Sequence, residues 1–402
     1  MKTGYILLLA STMAIGAAGL ADASETTEPE AAGPRFTLNG FGTLGLARSD
    51  DDDIQFVRDL SQPYGLTREW SAKIDSMLGL QGSYQFSDRL EGVLQVISRY
   101  RYDGSYRPEV SWGFLRYDPS PTLSLRAGRL GTEFYMMADS RMVGYANLTV
   151  RPPPDYFGPL VFSYLDGLDA GLTTPVGNGL LRGKLFAGIS PEKTPMQGNI
   201  AWDLAGSLLV GGHLDYLSGP WQVRFSHAQV RFNHELPVDA VARAEVIANV
   251  PEMSVVDKWS HFDSLGVVYD DGPLQLQLML SRIEHDSAAY EDTRAGYAIA
   301  AYRLGDVTPY LGYSKVKSSP VRFSSTLSPP YDTLAPLLAA QTHSDQHTWF
   351  LGGRWDLREN LALKAQVDWL QGAPGSVFPF RADSGPWRGR MTVFSLALDF
   401  VF

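Results

Sequence analysis

Pro273-Leu274-Gln275-Leu276-Gln277-Leu278-Met279-Leu280-Ser281-Arg282-Ile283-Glu284-His285 is the stretch that decides how this chain folds. Leu274, Leu276, Leu278 and Leu280 alternate with Gln275, Gln277, Met279 and Ser281. A side-chain period of two belongs to an extended strand whose two faces meet different surroundings. The same alternation recurs on either side. In 71–86, Ile74, Leu78, Leu80, Tyr84 and Phe86 share one parity, and Lys73, Asp75, Gln81, Ser83 and Gln85 the other. In 361–371, Leu361, Leu363, Val367 and Trp369 oppose Lys364, Gln366 and Asp368.

Read this way, the chain holds sixteen segments: 36–48, 71–86, 90–102, 107–117, 122–132, 161–175, 180–190, 204–217, 221–232, 259–270, 273–285, 294–303, 307–317, 347–356, 361–371 and 389–402. Gaps after even-numbered segments are short and built for tight turns, such as Gly177-Asn178-Gly179, Ser218-Gly219-Pro220 and Asp271-Gly272. Gaps after odd-numbered segments are mostly long, at 49–70, 133–160, 191–203, 232–258, 318–346 and 372–388. In a bilayer one end of each hairpin is a tight turn and the other an exposed loop, so this rhythm has a physical cause there that a sandwich in water lacks. The fold class is therefore all-β, a transmembrane antiparallel β-barrel over 36–402 with about sixteen strands. A further hairpin within 133–175 or 232–258 would make eighteen. Closure leaves no unpaired edge in lipid, and sixteen strands enclose an aqueous lumen. Tyr84, Phe86, Tyr117, Tyr216, Trp221, Tyr269 and Trp355 beside the short turns, and Tyr100, Tyr102, Trp259, Trp349 and Trp369 near the long loops, read as two interfacial girdles.

Composition agrees. The chain has 402 residues, 34 Lys+Arg against 44 Asp+Glu for a net charge of −10, 44% hydrophobic and 12% aromatic residues, 39 Gly, 25 Pro and 19 Tyr. It has no cysteine, which excludes disulfide frameworks, thiolate metal sites and iron–sulfur clusters, and no cofactor is indicated. A net acidic chain is a poor nucleic-acid binder. Residues 1–23 carry one early positive charge, Lys2, an apolar run from Tyr5 to Leu20, and Ala21-Asp22-Ala23 before Ser24. They read as a secretory signal cleaved after Ala23, followed by a short periplasmic segment at 24–35. Removal takes one charge of each sign, so the balance of −10 stands.

The chain ends Met391-Thr392-Val393-Phe394-Ser395-Leu396-Ala397-Leu398-Asp399-Phe400-Val401-Phe402, with aromatics and leucines on alternate positions and a terminal phenylalanine. This resembles the last strand of Gram-negative outer-membrane barrels, and with the signal, the sixteen strands and the long third loop the mature chain is similar to a 16-stranded porin. The Pro-Glu-Phe-Gly motif of enterobacterial third loops is absent. The resemblance implies a passive diffusion channel for small hydrophilic solutes or ions, a homotrimer in outer-membrane lipid and lipopolysaccharide, and recognition of Phe402 by the barrel assembly machinery. It also implies a third loop folded into the lumen, which here carries Glu133, Asp139, Arg141, Arg151 and Asp155 around a stiff Pro152-Pro153-Pro154 run.

The polar parity puts Lys73, Arg99, Arg101, Arg126, Arg182, Lys184, Arg224, Arg354 and Lys364 on the lumen wall, against Asp75, Glu91, Asp215, Asp356 and Asp368. The local field sets ion preference, so the expectation is a weakly anion-preferring channel with Arg99, Arg101 and Arg126 facing the third loop. Val238 to Met253 has the spacing of a short helix, and Asp50 to Asp53 reads as a solvated acidic run. Competing readings are a surface or adhesion barrel with its lumen blocked by the third and fifth loops, and a barrel lipid hydrolase. Ser226-His227 and Ser260-His261 could serve the latter, but neighbours on a strand point to opposite faces. His343 and His347 read as surface histidines rather than metal ligands. No catalytic, cofactor or metal residue is assigned.

Overall fold

The structure, a computed structural model, describes residues 35–196, 200–237, 240–323, 326–373, 375–376, 378–382 and 387–402. The expected leader at 1–23, and the segment 24–35 up to residue 34, lie outside the described residues. The strands are β1 (Phe36–Ser49), β2 (Met77–Ser87), β3 (Leu90–Arg99), β4 (Glu109–Ser120), β5 (Leu123–Gly131), β6 (Tyr164–Val176), β7 (Gly179–Ile189) and β8 (Leu208–Ser218). They continue as β9 (Trp221–Arg231), β10 (Trp259–Asp271), β11 (Leu274–His285), β12 (Asp292–Tyr302), β13 (Val307–Ser319), β14 (Asp345–Arg358), β15 (Leu361–Gly372) and β16 (Arg390–Val401). Each pairs antiparallel with its neighbours in the chain, and β1 closes the ring on β16 with Phe41 opposite Val401 and Leu46 opposite Leu396. Sixteen is thus the number of barrel strands, and among the described residues 133–175 and 232–258 add no further hairpin to the barrel.

The alternation is realised as two faces. Leu276, Leu278 and Leu280 of β11 are exposed while Gln275, Gln277 and Met279 are buried, and Leu363 and Trp369 of β15 point out while Lys364, Gln366 and Asp368 point in. The exposed leucines form an apolar belt that only lipid can cover at low cost. A closed sixteen-stranded barrel with such a belt is an outer-membrane protein of a Gram-negative bacterium. Gly219, Gly272 and Gly305 occupy three of the short turns at φ +54, +54 and +66, where a Cβ would meet nothing within 4 Å, so backbone conformation rather than space requires glycine there.

The loops at the other end are L1 (50–76), L2 (100–108), L3 (132–163), L4 (190–207), L5 (232–258), L6 (286–291), L7 (320–344) and L8 (373–389). L5 carries α1 (Ala240–Asn249) and L7 carries α2 (Tyr331–Ala339). The helix read from Val238 to Met253 is therefore shorter, with a 3-10 turn at Pro251–Met253, while 238–239 lie outside the described residues. L1 and L8 pair through Ile54–Gln55 and Arg381–Ala382 over an apolar cluster of Phe56, Val57, Leu66, Phe380 and Trp387.

Two expectations need correction. The second strand begins at Met77 rather than 71, because residues 71–76 turn inward: Ile74 is 2% exposed, Gln62 Nε2 donates to its carbonyl at 2.8 Å, and Asp75 is buried beside Arg151. Lys73 is accordingly exposed and off the wall. Strand β3 ends at Arg99, so Arg101 and Tyr102 lie in L2, and Tyr100 is 4% exposed against Tyr106 rather than part of an outer girdle.

Candidate channel site

L3 leaves β5 at Thr132 and returns at Ser163, joined where Thr132 N–H donates to the Ser163 carbonyl at 3.1 Å. Its first charge, Glu133, meets three cations and a histidine of inner-face parity. Lys184 of β7 donates to its carboxylate, Arg126 Nη2 of β5 lies at 3.4 Å, His213 Nε2 of β8 at 3.6 Å and Arg224 Nη1 of β9 at 3.8 Å. Burial alone would raise the Glu133 carboxyl, but Lys184, His213, Arg126 and Arg224 together hold it well below the usual range. Asp139 behaves oppositely: burial and the nearby Glu133 charge push it up. The wall cations are themselves paired, Arg126 Nε with Asp169 at 3.0 Å and Arg224 Nε with Asp215 at 2.7 Å.

Further along, L3 is tied to the strands that close the barrel. Arg151, 1% exposed, grips Asp75 with Nε at 2.9 Å and Nη2 at 2.6 Å, reaches Asp368 of β15 at 3.3 Å and donates to Ser395 Oγ of β16 at 2.6 Å. Its guanidinium also lies over the Phe56 ring. Asp155, on the turn Pro154–Phe157 that follows the proline run, accepts from Ser314 Oγ at 2.6 Å, Thr348 Oγ1 at 2.7 Å and Gln346 Nε2 at 3.0 Å. Between them, Lys364 Nζ donates to the carbonyls of Gly144 at 2.8 Å and Thr149 at 3.2 Å and pairs with Asp399 at 2.9 Å. Arg354 donates to the Tyr145 carbonyl at 2.6 Å and pairs with Asp356 at 2.8 Å. Lys364 and Arg354 thus satisfy loop carbonyls that no strand partner reaches.

Arg141 points elsewhere in L3, donating to the Phe162 carbonyl at 3.0 Å and Ser163 Oγ at 2.9 Å, while Arg58 of L1 donates to the Arg141 carbonyl at 2.5 Å. Burial lowers Arg141 to about 10. Arg99 faces L1 and Glu109, through Ser61 Oγ at 2.7 Å and Glu109 Oε1 at 3.2 Å, and Arg101 lies 3.4 Å from Glu109. Neither Arg99 nor Arg101 bonds to L3 among the described residues; of that trio Arg126 does. The side chain of Arg182 of β7 forms no ion pair or hydrogen bond among the described residues.

The acids that answer these cations were partly unseen in the sequence. Asp169 and Asp399 sit on the inner parity of β6 and β16, where strict alternation against Leu168, Leu172, Leu396 and Phe394 could have found them. Arg58, Asp59 and Glu192 lie in loops without periodicity, and nothing marks them. The serine–histidine pairs are split by the pleat as expected: His227 bonds Asp263 at 2.7 Å, and Ser226 is buried. Ser260 instead meets His285, its cross-strand partner, at 2.7 Å, and among the described residues no acid holds the other nitrogen of His285. His343 pairs with Glu291 at 2.7 Å and His347 stacks near Tyr313, apart from one another. Among the described residues no cluster of three or more metal-ligating side chains occurs.

No protein-family model and no curated protein sequence matches the chain. Solved structures do, by shape. An anion-selective porin from Comamonas acidovorans is 14% identical with a TM-score of 0.55, the match covering 91% of this chain and 99% of that one. OmpF of Salmonella typhi, in complex with daunomycin, is 12% identical with a TM-score of 0.55 over 91% and 97%. OmpT of Vibrio cholerae, expressed in the outer membrane, is 12% identical with a TM-score of 0.54 over 92% and 98%.

Proposed function

We propose that the protein is a porin, a passive diffusion channel for small hydrophilic solutes or ions, with L3 folded into the lumen and narrowing it. One observation carries the reading: Glu133 bonds to inner-face cations of β5 and β7, while Arg151 and Asp155 bond to inner-face groups of β13 to β16 across the ring. A loop held on both sides of a barrel divides the lumen, and the charges on it act on whatever passes. Arg126, Lys184 and Arg224 beside Glu133 form the candidate selective wall. Their carboxylate partners leave a weak field, to which Arg182 adds a positive charge on the same strand as Lys184. Weak anion preference follows from that balance. Lys364 and Arg354, read from sequence as wall charges, act here as anchors of L3.

The remaining parts of the reading are a signal cleaved after Ala23, assembly through the terminal Phe402, a homotrimer, and lipid and lipopolysaccharide around the apolar belt. Single-channel recording of the refolded protein in a planar bilayer, with the reversal potential under a KCl gradient, tests the function. Stepwise openings with an anion-favouring potential are expected. A second reading has its own support, since L3 also reaches Thr43 and Asp399 through Gly144 and packs Phe134 on Phe186 and Phe262. A loop touching the wall on so many sides could seal it, and a folded but silent barrel would select that surface-structure reading over the channel.

A further inference from the structure

At the long-loop end, a cavity of about 110 Å³ is bounded by Ser61, Arg99, Arg101, Glu109, Tyr164 and Glu192, from L1, L2, L4 and the ends of β3, β4 and β6. A smaller cavity shares Arg99 and Tyr164 with it and reaches Asp139 and Arg141 of L3, so the two adjoin. Hydrogen bonding around the larger cavity is unbalanced. Three of the four carboxylate oxygens are occupied: Glu109 Oε1 accepts from Arg99 Nε at 3.2 Å, its Oε2 accepts from the Tyr164 hydroxyl at 2.8 Å and faces Arg101 Nη2 at 3.4 Å. Glu192 Oε2 accepts the backbone N–H groups of Ser163 at 2.7 Å and Tyr164 at 3.2 Å. The cations keep donors in reserve. Arg101 Nε is buried with no partner, and Arg99 commits Nε and Nη1 while its Nη2 makes no bond among the described residues.

Donors in excess of acceptors call for an acceptor, and unmade hydrogen bonds of buried cations are costly. We infer that this cavity binds a small monovalent carboxylate, gripped by the guanidinium groups of Arg99 and Arg101, as solutes enter the barrel. The planar fork of arginine matches a carboxylate, and the volume limits the guest to a few heavy atoms. Glu109 and Glu192, which also line the cavity, repel a multivalent anion more strongly than a monovalent one, which favours the lower charge. The inference rests on the channel reading for the route onward to L3, but the binding itself does not need conduction.

Glu192 adds a sign to the test. Burial pushes its carboxyl up to about 7, against the Ser163 and Tyr164 N–H groups and the charges of Arg99 and Arg141. Arg129 of β5 also feels its charge, Glu109 of β4 stands across the cavity, and Lys193 follows it in L4. As pH falls through 7, Glu192 takes up a proton, the local field becomes more positive and carboxylate affinity rises.

The test uses the refolded barrel in detergent micelles and acetate as probe, read by saturation transfer to the acetate methyl signal, with folding checked by heat-modifiable gel mobility. Wild type should bind acetate several-fold tighter at pH 6 than at pH 8. Arg101→Gln, in a loop rather than the barrel wall, should weaken binding about tenfold. Glu192→Gln should move the opposite way and hold the pH 6 affinity at pH 8, so a poorly folding Arg101 variant leaves the claim open to defeat. No saturation transfer, an affinity unmoved by both substitutions, or displacement of acetate by equimolar phosphate overturns the site. Binding by a barrel that is silent in bilayers sinks the channel and keeps the site; a conducting barrel that ignores acetate does the reverse.

Discussion

On the β13–β16 side of L3 the charges are dry: Arg151 is 1% exposed and Lys364 0%. On the β5–β9 side, Arg126 and Lys184 each keep 21% of their side chain in contact with solvent. The partner arithmetic differs too. Asp75 and Asp368 each have Arg151 as their one ion-pair partner among the described residues, whereas Glu133 is shared by Arg126, Lys184, Arg224 and His213. Arg151 is an anchor, because losing it strands two carboxylates in low dielectric. A shared, partly wet cluster tolerates loss of one member and keeps a face that a passing ion can sense. On the proposed channel reading, the same residue types serve structure on one side and selectivity on the other.

Arg151→Ala should break this comparison most. It leaves Asp75 and Asp368 buried without their ion-pair partner and removes a donor to Ser395, at a cost of about 3–5 kcal/mol. The denaturant midpoint of the refolded barrel should drop accordingly, and conductance should become noisy as L3 loosens. A midpoint within experimental error of wild type would mean that L3 is not held there. Asp155→Ala comes next. Ser314, Thr348 and Gln346 lose a shared charged acceptor, at a cost of about 1–3 kcal/mol for the stranded donors, while Asp155→Asn, which keeps an acceptor oxygen, should cost less. Equal losses for the two variants would argue that packing of the Pro154–Phe157 turn, not the hydrogen bonds, secures the loop.

The barrel was legible because one rule, alternation against lipid, applies wherever a strand crosses the membrane, as Leu274 to Leu280 and Leu361 to Trp369 illustrate. The rule fails at strand ends. Ile74 and Lys73 continue the parity of β2 in sequence, yet the backbone there turns inward to deliver Asp75 to a loop residue 76 positions away. Long-range pairing leaves no local trace, so the sequence showed Arg151 as a charge in L3 but not which acids it would meet. The same gap distorted the balance of wall charges. Asp169 and Asp399 share the readable inner parity, and with them in place Arg126 and Lys364 are neutralised rather than free. Tyr100 departs from its expected place for a related reason: an aromatic at a strand end reads as interfacial, while here the chain has already left the wall at Arg99.

Lys184→Gln is the smallest and sharpest probe. Glu133 keeps Arg126 at 3.4 Å and Arg224 at 3.8 Å after the substitution, so stability should change by no more than about 1 kcal/mol. The field beside L3, however, loses one positive charge that is partly in contact with solvent, and the reversal potential should shift toward cations. Lys364→Met makes the matched control. It removes a charge of equal sign from the dry side, where Asp399 and the Gly144 and Thr149 carbonyls depend on it, so it should destabilise the barrel by several-fold more. If the two variants shift selectivity equally, the dry side lies on the permeation path after all, and the division into anchors and selective wall fails. If Lys184→Gln alone moves the potential, the solute route runs past β5, β7 and β9, and the cations of β14 and β15 are there to hold the loop that shapes it.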